Sequence, residues 1–316
     1  MFESKIHETV LVSEVSEALG LDKIAHLKSQ AKYIDATMGT GGHSLEIVKK
    51  GGRVLGIDMD QQMLEVAEDR LRKARRAMRP SGPEACPVPK GIFGDPFILI
   101  QGNFKDIETI AKERDFSQVD GIIFDLGVSN LHLTSPLMGF SFANPDAELD
   151  MRLDLNSQGV KAKDLLNALN VGQLTELFSE TLDLGLARAV ARKVIAAREV
   201  KPFEKVCDLL GICRFLPKKG RLHPATKVFL ALRIAVNSEL ENLKEALPKA
   251  YSLLRPGGRL VVISFHSGEE KIVKGFVSNT TNARIVTEKP IVPGINEVTR
   301  NPRARSAKMR VLQKNI

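Results

Sequence analysis

Short apolar runs and longer amphipathic stretches alternate through the first 125 residues of this chain. Tyr33-Ile34-Asp35 ends one apolar run. RVLGID (Arg53–Asp58), FILI (Phe97–Ile100) and GIIFD (Gly121–Asp125) form three more. Each is short, β-branched or aromatic in character and bounded by glycine or turn residues, which predicts a strand rather than a buried helix. Between them, LEIVKK and MDQQMLEVAEDRLRKARRAM carry helical periodicity. Strands that alternate with helices predict βαβ units and a mostly parallel sheet.

The pattern changes from about Asp146 to Asn237, where helical segments follow one another with little strand signal. In LGLARAVARKVIAAREV, Leu186, Val190, Val194 and Ala197 share one helical face and predict a core stripe, with Arg188 and Arg192 off it. Strand signal returns at Gly258–Phe265 (GRLVVISF) after the turn RPGG. The expected architecture is an α/β sheet domain of residues 1–145 and 238–316, with an inserted helical domain of residues 146–237. Five prolines between Pro80 and Pro96 mark a loop or surface insertion.

Composition bounds the possibilities. The 316 residues are 43% hydrophobic and 27% charged, ordinary for a globular protein. No run approaches the roughly 20 apolar residues of a membrane span. The N-terminus lacks the continuous apolar core of a secretory signal, so a cytoplasmic protein without membrane association is expected. Cys86, Cys207 and Cys213 form no CxxC pair, which argues against a disulfide framework or zinc site.

A net charge of +8 permits a polyanionic partner without requiring one. Arg70–Arg79 holds six basic residues in ten, and Arg300–Lys314 holds six with no acid among them. Each run is either solvated surface or a source of phosphate contacts. With 5% aromatic residues and no tryptophan, an aromatic platform like that of RNA-binding sheets is not indicated.

The central chemical feature is DATMGTGGHS (Asp35–Ser44), between a strand and a helix. Its glycines permit a tight turn and close backbone approach to a ligand, and the helix start offers free N–H groups. Such a loop suits a dinucleotide pyrophosphate or S-adenosylmethionine. The dinucleotide fingerprint wants glycine where Ser44 stands. Asp35 supplies a carboxylate that can pair with an ammonium, which favours S-adenosylmethionine. Asp58, at the end of the second strand, is placed for ribose hydroxyls in either case. Asp125 ends the fourth strand and should face the same cleft, although capping of the next turn is an alternative role. His266 in SFHSGEEKIVK is a possible base, or belongs to a helix-capping segment led by Ser267. His43 either touches the cofactor or packs.

In order along the chain, HETVLVSEV, DATMGTGGHS, GIDMD, DGIIFDLGVSN, GFSFANPDAELDMRLD, LHPATKVFLALRIAVNSEL, PGGRLVVISFHSGEEKIVK and NPRARSAKMR resemble the bacterial small-subunit ribosomal RNA cytosine-N4 methyltransferases, the RsmH or MraW family. The resemblance covers nearly the whole chain. It implies a Rossmann-like class I S-adenosylmethionine-dependent methyltransferase sheet with an inserted helical domain that helps bind substrate. The implied reaction is methylation of the exocyclic N4 of a cytosine in the decoding region of 16S (small-subunit) ribosomal RNA.

Carried over by motif, Gly41, Gly42 and His43 would bind S-adenosylmethionine, Asp58 would hold its ribose and Phe104 would lie against adenine. Asp125 and His132 would complete the pocket, His132 standing where the family commonly has glutamine. The implied partner is small-subunit ribosomal RNA or the 30S particle, with no metal and with a homodimer left open. Asp125 is the first candidate to accept a hydrogen from N4, and Glu148 or Asp150 the second. Arg188, Arg192, Arg198 and the basic runs would grip flanking phosphates. A nicotinamide oxidoreductase, a small-molecule methyltransferase and a non-catalytic ribosome-assembly binder are the competing readings.

Overall fold

Seven strands form one sheet: β1 (Lys32–Asp35), β2 (Arg53–Asp58), β3 (Phe97–Gln101), β4 (Val119–Asp125), β5 (Leu254–Ser264), β6 (Ala283–Ile285) and β7 (Lys308–Lys314), in the order β3-β2-β1-β4-β5-β7-β6. The computed structural model describes residues 9–26, 31–77, 95–134, 138–218 and 223–315. The first five strands run parallel, while β7 pairs antiparallel with both β5 and β6. The order reverses at β1 and β4, and an open α/β sheet binds its ligands beyond the carboxyl ends of strands at such a switch point.

The central strands read as nearly continuous apolar runs because both faces of the sheet are covered. On one face Val15, Leu19, Ile47, Leu64, Ala67 and Leu71 come from the helices Val12–Leu19, Gly42–Lys49 and Gln61–Ala77. On the other, Ile107, Ala111, Leu247, Ala250, Val273 and Val277 come from Ile107–Glu113, Glu239–Leu253 and Ser267–Asn279. The five strands read from the sequence are present. β6 and β7 are additional, because β6 has only three residues and β7 lies inside the basic run Arg300–Lys314.

The chain divides into two compact units, Met1–Gly127 with Asn242–Ile316, and Val128–Glu241. Residues 128–145 were expected with the sheet and instead belong to the helical unit. The cause is burial: Phe140 joins Ala147, Leu149, Met151, Val190 and Val194 in that unit's core. The GFSFANPDAELDMRLD segment is tied down by backbone bonds from Leu149 N–H to the Glu204 carbonyl, from Val206 N–H to the Ala147 carbonyl and from Met151 N–H to the Met138 carbonyl.

Helix Leu184–Val200 spans the sequence read for it, capped by Asp183, whose side chain accepts from Leu186 N–H at 3.0 Å. Ala187, Val190, Ala191 and Val194 are its buried positions. Leu186 and Ala197 are only partly buried, so the buried stripe is rotated by about one residue from the expected one. Arg188 and Arg192 are exposed as expected. The proline-rich stretch lies outside the described residues up to position 94, as do Cys86, Arg79 and His7.

Candidate active site

Parallel pairing sets Asp35 of β1 level with Gly56 of β2 and Ile123 of β4. Asp58 and Asp125 therefore project two residues beyond those levels, at the same edge of the sheet. The DATMGTGGHS loop leaves β1 there and enters the helix Gly42–Lys49. Gly41 caps that helix in the left-handed region (φ 75°), where a side chain is strained. Gly42 is constrained differently. A Cβ there would lie 1.7 Å from Thr9 Oγ1, so close packing of the preceding chain segment requires glycine at this position.

Asp58 is held by the loop it faces. Its Oδ2 accepts from Gly39 N–H at 2.7 Å and its Oδ1 from Asp60 N–H at 2.9 Å. Two backbone donors orient the carboxylate. Its carbonyl accepts from Gly102 N–H at 2.9 Å, which ties the QGNF turn to the end of β2. Phe104 of that turn is partly buried, with its ring edge-on to Phe124 at 5.7 Å between centroids.

Asp125 is positioned by a contact that the sequence did not signal: its N–H donates to Thr37 Oγ1 at 2.7 Å. Its Oδ2 stands 3.5 Å from Nε2 of His43, a ring only 4% exposed. Asp35 is deeper. Burial pushes its pKa up, and the nearby His43 and the Ser44 hydroxyl, which donates to Oδ2 at 2.7 Å, pull it partly back.

Three neighbouring groups thus carry buried atoms without hydrogen-bond partners among the described residues: Asp35 Oδ1, Asp125 Oδ1 and both ring nitrogens of His43. An unmade buried hydrogen bond costs about 1–3 kcal/mol. Buried polar groups in native structures are nearly all hydrogen-bonded, so this cluster beside the glycine loop calls for an explanation.

His132 lies in the helical unit, buried, with its ring centroid 5.5 Å from that of Phe140. The alternative role for His266 is the one the structure favours, with the cap shifted by one residue. His266, not Ser267, caps the helix Ser267–Asn279: Glu269 N–H donates to its Nδ1, and the Glu269 carboxylate accepts from His266 N–H at 3.2 Å.

Other expected contacts are occupied by the fold. Glu148 is paired with Lys161 and Lys163, each at 2.8 Å, and they lower its pKa. For Asp150, burial would raise the pKa, but bonds to Arg152 at 2.7 and 2.9 Å outweigh it and the net direction is down. Both carboxylates thus stay ionised and already serve ion pairs within the fold.

Arg198 Nη1 donates to the Leu166 and Leu169 carbonyls at 2.8 and 2.7 Å, so it closes a helix end rather than facing phosphate. In the Arg70–Arg79 run, Arg72 pairs with Glu68, Lys73 with Asp69 and Arg75 with Asp95. Arg70 donates to the Thr40 carbonyl at 3.3 Å, behind the glycine loop. In the C-terminal run Arg310 is paired with Glu270, and Lys314 donates to the Ser252 and Leu254 carbonyls. Thr9, Thr37 and Arg70 therefore shape the loop through contacts that the HETVLVSEV block, the DATMGTGGHS loop and the basic run containing them do not signal.

The profile of the MraW methylase family matches residues 4–315. A protein from Carboxydothermus hydrogenoformans, "Ribosomal RNA small subunit methyltransferase H", is 38% identical over 98% of this chain and 97% of its own length. A relative of the same name from Dictyoglomus turgidum is 39% identical over 97% of this chain and 96% of its own. Among solved structures, an rRNA methylase from Streptococcus thermophilus aligns over 94% of this chain and 95% of its own, at 12% identity and a TM-score of 0.43. With a family match over nearly every residue, the chain belongs to the MraW methylase family and is a methyltransferase.

Proposed function

We propose that this protein transfers the methyl group of S-adenosylmethionine to the exocyclic N4 of a cytosine in the decoding region of small-subunit ribosomal RNA. Family membership supports the methyl donor and the reaction class and removes the oxidoreductase reading. The observation that carries the site assignment is the trio Asp35, His43 and Asp125 beside the glycine loop, each with a buried polar atom whose hydrogen bond is unmade among the described residues. S-adenosylmethionine fits them chemically, because it brings an ammonium, a carboxylate and ribose hydroxyls to a set of acceptors, backbone donors and a histidine. When bound, it supplies an electrophilic methyl on sulfonium.

The chain's own residues would divide the work. Gly41, Gly42 and His43 form the loop against the methionyl end, and the oriented Asp58 carboxylate accepts from the ribose hydroxyls. Phe104 offers an apolar ring to the adenine. For His132 the support is the family resemblance alone.

Asp125 is the acceptor for a hydrogen of N4. That bond returns electron density to a nitrogen whose lone pair is delocalised into the ring, and it orients the amine for in-line attack. Thr37 fixes the Asp125 backbone, and His43 stands beside its outer oxygen. The target base must leave its stack to reach such a group.

Asp125→Ala should abolish methyl transfer to small-subunit RNA while leaving thermal unfolding cooperative and within a few degrees of the parent. Asp125→Asn, which keeps one acceptor oxygen, should retain more activity than Ala. Full activity in Asp125→Ala would overturn the assignment.

A further inference from the structure

Helices Leu184–Val200 and Val206–Cys213 of the helical unit border an open groove of about 450 Å³. Lys193, Ala196 and Ala197 recur at helical spacing and form one wall. Gly211 and Ile212 form the other, and Arg214 and Phe215 close the end. Phe215 is 39% exposed, unusual for a ring with a hydrophobic core beside it. The Lys193 ammonium stands 4.8 Å from its centroid. Gly211 faces open space: a Cβ there would meet nothing within 4 Å, so the groove is open on the glycine side.

We propose that this groove holds one nucleotide of single-stranded RNA, with the base stacked on Phe215 and flanking phosphates against Lys193 and Arg214. The proposal rests on the RNA-substrate reading above and adds to it a site on the helical unit.

Charge complementarity selects the occupant. Among the described lining residues there are two cations and no acid, so a polyanion is favoured over an apolar or basic peptide. The exposed aromatic adds what a purely phosphate-binding patch lacks, a π-face that any base can use. Lys193 already shows that a cation and the ring are compatible at close range, and a base can take the ring's open area while the ammonium turns to phosphate. One exposed ring suffices for one base, and so does not conflict with the low aromatic content of the chain.

The test uses the full chain and a fluorescein-labelled, unstructured single-stranded RNA 12-mer, read by anisotropy over a salt series. Phe215→Leu should weaken binding about tenfold, the loss expected for one stacked base. Gly211→Leu fills the groove without changing charge and should weaken binding comparably, with unchanged thermal stability. Lys193→Ala with Arg214→Ala should flatten the dependence of log affinity on log salt by about 0.7 for each phosphate contact removed.

Parental affinity in both Phe215→Leu and Gly211→Leu overturns the groove assignment, even if the charge variant binds less tightly. That result would leave a peptide or other occupant to be sought. In parallel, methyl transfer by the parent protein to small-subunit RNA is measured. Transfer with unaffected groove variants overturns the groove alone, whereas no transfer and no RNA binding overturns both.

Discussion

Burial raises the pKa of Asp35, and His43 and Ser44 recover only part of that cost. An acid whose folded pKa lies above its unfolded value is neutral in both states at low pH. It destabilises the folded chain as pH climbs from the unfolded value, about 4, through the folded one. In the absence of S-adenosylmethionine, Asp35→Asn should therefore unfold at the same temperature as the parent near the acidic limit. It should then gain progressively over the parent as pH rises toward neutrality. The same variant should bind S-adenosylmethionine more weakly, because the carboxylate that can meet its ammonium is gone. Melting curves across pH, paired with calorimetric titration of the donor, read both effects. A neutral-pH loss of stability would mean that Asp35 is a structural carboxylate with a partner of its own.

At the scale of elements, arginines divide into those that build helices and those left to solvent. Arg198 bonds two carbonyls at the end of helix Ala162–Ala168, from Leu166 and Leu169. Arg198→Ala should cost about 1–3 kcal/mol in denaturant unfolding, since it strands buried-side acceptors. Arg188→Ala and Arg192→Ala, on exposed positions of the same helix, should stay within about 0.5 kcal/mol. Equal stability of all three, with RNA affinity lost only in Arg198→Ala, would return Arg198 to the phosphate-contact role.

These arginines show where sequence patterning stops. Period and flanking glycine locate strands β1 to β5 and the helix Leu184–Val200, because burial on one or both faces writes itself into the pattern. A side-chain bond to a distant carbonyl leaves no periodic trace. The strand β7 was hidden for a related reason: alternate Lys308, Arg310 and Lys314 read as a charged tail, although Met309 and Val311 are buried and Arg310 is paired.

For the whole molecule, the net charge of +8 is an imprecise guide to RNA contact. Ion pairs within the fold occupy three of the six basic residues of the Arg70–Arg79 run and part of the C-terminal one. Exposed cations remain in both units, Arg188, Arg192 and Arg214 in one and Arg303, Arg305 and Lys308 in the other. Part of the candidate site is legible in the sequence: strand ends mark Asp58 and Asp125, and composition marks the glycine loop. The loop's reasons for glycine were not fully legible, because Gly42 answers to Thr9, 33 positions earlier in sequence and in contact only after folding. The unit boundary at Val128 was missed because Phe140 and its neighbours lack periodicity and reveal their core only in three dimensions.

The most direct test of the whole account is chemical. The protein is incubated with S-adenosylmethionine labelled in the methyl group and with unmodified small subunits or free 16S ribosomal RNA, and the RNA is digested to nucleosides and mapped. The account predicts label in N4-methylcytidine at a single decoding-region cytosine, lost in Asp125→Ala. Label on a ring carbon, on another base, or on neither RNA substrate would contradict it.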